Sequence, residues 1–514
     1  MIGKFFATQS SLKAAGAMRL GNYAFQAMLM LVLTPFIIGH VGKSGFGIWT
    51  AVSALTGYYG LVNLGVGSAL VRHLARHAAR KEEEGMSRVL GTGLAFFTVT
   101  GIVVGVGGFF ASDWLAGLFD QARENQETFG ALLGLVSIAL AADFIGVSFS
   151  SVLNAHEEYL TQTLMESARM VLRAVLIFAL LTTGFGLVGL GITVLVISFL
   201  MLATNVILVF RGKYPLKVSV FNARWGTLKT LLTYGSSTAL MNVVSLTRTK
   251  AGHLILAGAA SFASVASFGV ASNLVMQYQG LIFSFNSALT ARFSRLDAVS
   301  DERGIRALFQ KTLFSNAFLA FGAGLIIFVF GRPFVIWWIG EDFLDAVPAL
   351  HVLTIGYAAA LSQTSGWNLM FGLDRHHKMA YVSIAEAAAL IVLALYLVID
   401  YGILGIALAT TMTMIVTKSV IQPVYIIRLL GMPITDYLRP IVAPLSVAVP
   451  IGIGGYFFAG AIPELSSSLL LIAGVVAMVA SVYVIGVYLL YRGAAFFVAP
   501  KVLERFVRRA QRNS

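Results

Sequence analysis

Arg248 and Lys250, with His253 close behind, stand in an almost wholly apolar stretch running from Leu231 to about Ala260. Roughly 20 apolar residues are enough to cross a bilayer. The surplus length predicts a tilted, bent or broken helix. A cation at the bilayer centre costs about 2.5–3.5 kcal/mol on the mildest scale. Two within three residues therefore call for an anionic ligand, a buried partner or a position near the interface. Arginine offers a bidentate fork and lysine a compact point charge, a pairing suited to phosphate or carboxylate. The competing reading places both near the outer interface, where long side chains snorkel.

Other charges sit in apolar surroundings. Arg19 lies at the inner mouth of the first span, as a guide for an anion or as an ordinary helix-end cation. Glu166, Arg169 and Arg173 share one helix face at i, i+3 and i+7. They form an ion-pair ladder in which Arg173 reaches deepest towards a cavity. Asp143 and Glu386 are intramembrane acids, functional by default. Each either takes up H⁺ or Na⁺ or pairs with a cation, Arg173 and Lys418 respectively. Gln363, Trp367 and Asn368 could bind sugar or serve as polar packing between helices. Gly42-Lys43-Ser44 has Ile37 where a phosphate loop needs its first glycine, and His156-Glu157-Glu158 lacks the second histidine of a zinc helix. With no cysteine, disulfides, thiol catalysis and Cys-ligated metal are excluded. No resident cofactor or metal is implied.

The elements that must position these groups are membrane helices. The 514 residues are 58% hydrophobic and 11% charged, with mean hydropathy +0.84. That composition describes an all-α integral membrane protein. We read about fourteen spans, from Leu20–Ile38 and Phe46–Val71 through Ala346–Phe371 to Leu469–Tyr491. No short apolar region with a small-residue cleavage site is seen, so no cleaved signal peptide is expected. The net charge of +13 would suggest nucleic acid in a soluble protein. Here its placement excludes that partner. Outer loops hold Lys43, Arg123 and Arg332. Arg19, Arg169, Arg173, Arg248, Lys250 and Lys418 fall in or at the edge of spans, and the remaining cations, Arg505 to Arg512 of the tail among them, lie on the inner side. By the positive-inside rule both termini are cytoplasmic. Trp337 and Trp338 are expected as interfacial anchors.

An internal repeat orders the spans. Phe46-Gly47-Ile48 is echoed by Phe268-Gly269-Val270, Ser68-Ala69-Leu70 by Ser287-Ala288-Leu289, and Phe185-Gly186-Leu187 by Tyr401-Gly402-Ile403, at offsets of 222, 219 and 216 residues. Six spans per copy leaves both copies in one orientation, a parallel repeat. The expected plan is two six-helix lobes, 1–222 and 223–430, followed by two further spans and a basic tail, 431–514.

Thr34-Pro35-Phe36-Ile37-Ile38, Phe46-Gly47-Ile48-Trp49, Leu64 to Arg72, the Asp374 to Ala407 region and the 6 + 6 + 2 plan together resemble the bacterial polysaccharide and O-antigen flippases. These belong to the multidrug/oligosaccharidyl-lipid/polysaccharide exporter superfamily, with the MATE drug exporters and the lipid II flippase. The resemblance implies an inner-membrane protein moving undecaprenyl-pyrophosphate-linked oligosaccharide to the outer leaflet by alternating access. It implies membrane lipids, a polysaccharide polymerase and a chain-length regulator as partners, with the last two spans helping to hold the lipid tail. On that reading Arg248, Lys250, Arg19 and Arg173 bind the anionic substrate, and Asp143 and Glu386 are available for H⁺ or Na⁺ coupling. The chain departs from relatives in carrying Arg248 and Lys250 where an acidic residue often stands. Two alternatives remain: a cation-coupled MATE-type multidrug exporter, and a membrane-embedded glycan polymerase or glycosyltransferase. The latter would want more room than the longest outer loop, Ser112 to Gln126, provides.

Overall fold

A computed structural model describes residues 2–117, 126–212, 214, 218–286, 288–462, 465 and 468–493, with the side chains of 2–20, 22, 237, 238, 241 and 491–493 excluded. Arg19's side chain, Arg123, much of the Ser112–Gln126 loop and the basic tail with Arg505 therefore lie outside the described residues. Every long element is helical, because backbone polar groups in hydrocarbon must be paired within their own segment.

Nine described segments are long and apolar enough to cross a membrane. Two of them are double: Tyr23–Asn63 bends at Gly42 (φ 74°) and His377–Leu430 at Gly402 (φ 53°). Helices α5 (Tyr159–Thr182), α7 (Trp225–Ala259) and α8 (Phe262–Asn286) complete fourteen. The first two of these three carry several charges within their apolar stretches, Glu166, Arg169 and Arg173 on α5 and Arg248 and Lys250 on α7.

The chain divides into two compact units, Met1–Ala266 and Ser267–Ser514. In the first, α1 (Ile2–Tyr59) leads into a 3₁₀ turn, Gly60–Asn63, and then α2 (Val66–Ala79). The expected continuous span Phe46–Val71 is thus broken. Leu64 and Gly65 both take positive φ (49° and 70°), and Asn63 Oδ1 accepts from Gly67 N at 3.0 Å to cap α2. The break has a packing reason: Gly65 lies directly against the Gly235 backbone of α7, where no Cβ fits. Helices α3 (Glu83–Gly117), α4 (Gln126–Ala155), α5 and α6 (Gly186–Arg211) complete the unit. Its core joins Leu70, Leu74, Leu90, Phe97, Phe149 and Val152. Helix α7, which the repeat assigns to the second copy, packs here against α1, α2 and α3. Sequence correspondence and packing are separate properties.

The second unit contains α9 (Leu289–Ala298), α10 (Glu302–Ile339), α11 (Ala346–Leu361), α12 (Thr364–Gly372), α13 (His377–Met414), a π-helical turn at Ile415–Ile421, α14 (Gln422–Leu430), α15 (Ile434–Gly460) and α16 (Leu469–Gly493). The expected span Ala346–Phe371 is interrupted at Ser362–Gln363. One core joins α10 to α15 and α16 through Phe321, Leu325, Ala448 and Tyr483, and another surrounds Phe309, Phe293, Met370 and Tyr437. Trp337 is exposed as an anchor should be, but Trp338 is buried and stacks on Phe334 at 5.5 Å.

The backbone carries the internal repeat more sharply than the side chains do. Uncommon positive-φ residues recur in step: Lys81 with Ser300, Glu157 with Asp374, Gly186 with Gly402. Their hydrogen bonds recur too. Glu82 N to His77 O (3.0 Å) matches Asp301 N to Leu296 O (3.0 Å), and Glu158 N to Leu153 O (3.0 Å) matches Arg375 N to Met370 O (2.8 Å). These six-to-one bonds close helix C-termini, where a left-handed residue lets carbonyls find donors.

Candidate functional site

The α7 cations sit on an unbroken helix of 35 residues. At 1.5 Å per residue it is about 52 Å long, so its surplus is taken up by tilt or overhang, without the break that was one expectation. Thr247 is buried and hydrogen-bonds Tyr58 of α1, fixing the rotation of α7 on that helix. Lys250 is half-buried, its stem lying over Gly57: a Cβ there would stand 3.8 Å from Lys250 Cγ. No carboxylate lies within ion-pair distance of Lys250 among the described residues, and His253 is buried one turn further on. Arg248 is also half-buried.

A second charged group belongs to α4, α5 and α6 of the same unit. Asp143 takes a hydrogen bond from Ser198 and lies within reach of the Arg169 charge. Arg169 in turn stands 3.6 Å from Glu166. The cation acting on Asp143 is thus Arg169, and Arg173, deeper on α5, is influenced by both Arg169 and Glu166. Asp143 and Arg173 are exposed by area, yet neighbouring protein desolvates both. Both therefore keep accessible surface while lying among the side chains of neighbouring helices. Ser198 was not foreseen, since a lone serine in an apolar helix carries no signal.

Glu386 is placed differently. Its carboxylate is 5% exposed and lies 3.4 Å from Lys418 Nζ, which is 12% exposed. Lys418 projects from the π-helical turn and also faces the Trp367 ring at 5.4 Å. A wider turn resets the angle at which a side chain leaves the helix, which delivers the lysine to α13.

The polar residues of α11 and α12 act in packing. Gln363 Oε1 accepts from Tyr437 Oη at 2.7 Å, its Nε2 donates to Ser419 Oγ at 3.3 Å, and its carbonyl accepts from Gln422 Nε2 at 2.9 Å. Asn368 Oδ1 accepts from Thr290 at 3.0 Å. Asn286 and Asn316 exchange amide hydrogen bonds at 2.9 and 3.0 Å, both buried. Beside this network, an apolar cavity of about 510 Å³ is lined by α10, α11 and α15, with Phe328, Ile355, Leu445 and Val449 among its walls.

Kinked membrane helices, an internal repeat and accessible charges within apolar helices describe a transporter-type fold. Comparison with solved structures agrees: the lipid II flippase MurJ in an inward closed conformation superposes with a TM-score of 0.73 over 92% of this chain and 99% of that one, at 16% identity. An inward-facing multidrug resistance MATE family transporter of the MOP superfamily gives 0.68 over 81% of this chain and 99% of that one, at 15% identity. The chain belongs to the polysaccharide biosynthesis protein family, whose model matches residues 40–348. A Shigella flexneri protein named "Putative O-antigen transporter" is 20% identical over 409 residues, 79% of this chain and 95% of that one. A Bacillus subtilis membrane protein, EpsK, is 22% identical over 444 residues, 83% of this chain and 85% of that one.

Proposed function

We propose that the chain moves undecaprenyl-pyrophosphate-linked oligosaccharide from the cytoplasmic to the outer leaflet of the bacterial inner membrane, with both termini cytoplasmic. The observation that carries the reading is Lys250: half-buried on α7, one turn from a buried histidine, with no carboxylate partner among the described residues. An ammonium in that setting is stabilised by an arriving anion, and Arg248 two residues away adds a bidentate donor for a diphosphate. Arg19 and Arg173 are the further cations along the route. Alternating access exposes this site to each leaflet in turn. Outward movement of an anion is favoured by an inside-negative potential, about 2.3 kcal/mol per charge at 100 mV.

A cation-coupled exporter of organic cations is the competing reading, favoured by accessible Asp143. Of the two coupling candidates, Glu386 already has Lys418 as its counter-charge, so Asp143 is the one we assign to H⁺ or Na⁺. The test is flipping of a fluorescent undecaprenyl-pyrophosphate oligosaccharide in proteoliposomes. Wild type flips it, and Arg248→Ala/Lys250→Ala loses flipping about a hundredfold while eluting as a folded protein, as expected when two charge-assisted contacts are removed. Wild type that flips nothing but exports organic cations would hand the function to the rival.

A further inference from the structure

Between α12 and α13 the chain reads Asp374-Arg375-His376-His377, and its three metal-competent side chains converge. Asp374 Oδ1 lies 3.5 Å from His376 Nδ1 and 3.8 Å from His377 Nε2, and one donor atom from each residue falls within 4.8 Å of the others. With metal–ligand bonds of about 2.0–2.1 Å, tetrahedral zinc separates its ligand atoms by about 3.3 Å. The observed spacing reaches that by small side-chain rotations.

The backbone that carries these donors is held from both sides. Asp374 takes φ 53°, Arg375 N donates to Met370 O at 2.8 Å, and Arg375 O accepts from Tyr425 Oη of α14 at 2.8 Å. The His376 ring is stacked on Phe371 at 4.4 Å, 9° from parallel, and His377 lies 4.4 Å further along. His376 Nδ1 is buried and has no hydrogen-bond partner among the described residues. The chain's other helix-end histidines spend the same nitrogen: His40 Nδ1 on Phe36 O at 2.8 Å, His156 Nδ1 on Val152 O at 2.9 Å, His77 Nδ1 on Glu82. A buried nitrogen without a hydrogen bond, 3.5 Å from the Asp374 carboxylate, is an arrangement that a shared cation resolves when the imidazole is neutral.

The repeat supplies an internal control. Glu157 occupies the same left-handed position in the first copy, followed by Glu158, Tyr159 and Leu160 in place of Arg375, His376 and His377. The turn therefore forms without histidines, and the fold does not account for the pair.

We infer that Asp374, His376 and His377 form a binding site for a late first-row divalent cation, tested as Zn²⁺, with the fourth position open to water. Two imidazoles and one carboxylate suit zinc and its neighbours and leave soft Cu(I) unserved. Binding joins the end of α12 to the start of α13.

The experiment is calorimetric titration of Zn²⁺ into the full-length protein in detergent, with any purification tag removed, and cobalt absorption as a second reading. One saturable site per chain is expected, with tetrahedral-type visible bands when Co²⁺ replaces Zn²⁺. His376→Ala and His377→Ala each weaken binding about tenfold or more, and His77→Ala leaves it unchanged. His377→Asn, which keeps a polar side chain of similar size, stands in should an alanine variant aggregate. No saturable binding, or equal affinity in the combined His376→Ala/His377→Ala variant, overturns the site.

Discussion

Arg169 of the first copy and Glu386 of the second stand within about one residue of the same repeat position, between turns offset by 217 and 216 residues, yet they have opposite charge and opposite surroundings. Arg169 is 47% exposed, pairs with Glu166 at 3.6 Å and acts on accessible Asp143. Glu386 is 5% exposed and held by Lys418 at 3.4 Å. The two copies share their turns and differ in their charges. The lesson concerns what intramembrane charge is for. A charge on an accessible wall can exchange partners during a transport cycle, whereas a buried pair is committed, because separating it leaves an uncompensated ion in low dielectric.

The sharpest way to break this comparison is to remove one member of the buried pair. Lys418→Met removes the cation beside Glu386 and is expected to cost about 3–5 kcal/mol, read as a large fall in thermal unfolding temperature in detergent. Adding Glu386→Leu to Lys418→Met should recover most of the loss. If the single variant is as stable as wild type, the pair is not a committed one.

Asp143→Asn sharpens the other side. Accessible and held by one serine hydroxyl and a half-exposed arginine, Asp143 should change stability by about 1 kcal/mol or less. Transport should lose its dependence on the H⁺ or Na⁺ gradient, measured as flipping with and without an imposed gradient. Gradient dependence intact in Asp143→Asn but lost in Glu386→Gln would reverse the assignment.

The smallest effect concerns His73, towards the C-terminal end of α2 and beyond the apolar span Tyr23–Asn63. Burial holds its imidazole below the usual histidine range, assisted by the Arg72, His77 and Arg76 charges. Its ring meets Tyr234 edge-on at 6.4 Å, and Arg72 covers the same tyrosine at 4.4 Å. The folded state therefore binds this proton less readily than the unfolded chain, so stability present above about pH 6.5 declines as pH falls towards the lowered value. His73→Gln should flatten the unfolding temperature between about pH 7 and 5 by a fraction of a kcal/mol. An unchanged slope would mean His73 is solvated.

Much of the fold was legible because a bilayer imposes it. Apolar length, the cation asymmetry of the loops and the Phe185-Gly186/Tyr401-Gly402 echo each report a constraint acting on a local stretch of chain. The break at Leu64-Gly65 was not legible, since its cause is Gly235, distant in sequence and pressed against it in space. The fate of Gln363 was equally hidden. Tyr437, Ser419 and Gln422, which use up its side chain and carbonyl, come from other helices.

The sequence by itself determined that this is an all-helical membrane protein built on an internal repeat, and which charges had to be explained. Periodicity, length and loop charge are local quantities that solvent and lipid read directly. Only the tertiary structure decided which charges are committed and which are accessible. Asp143 and Glu386 are indistinguishable as acids in apolar helices, and their difference lies in whether a neighbouring segment delivers a lysine within 3.4 Å or leaves the carboxylate exposed beside Ser198.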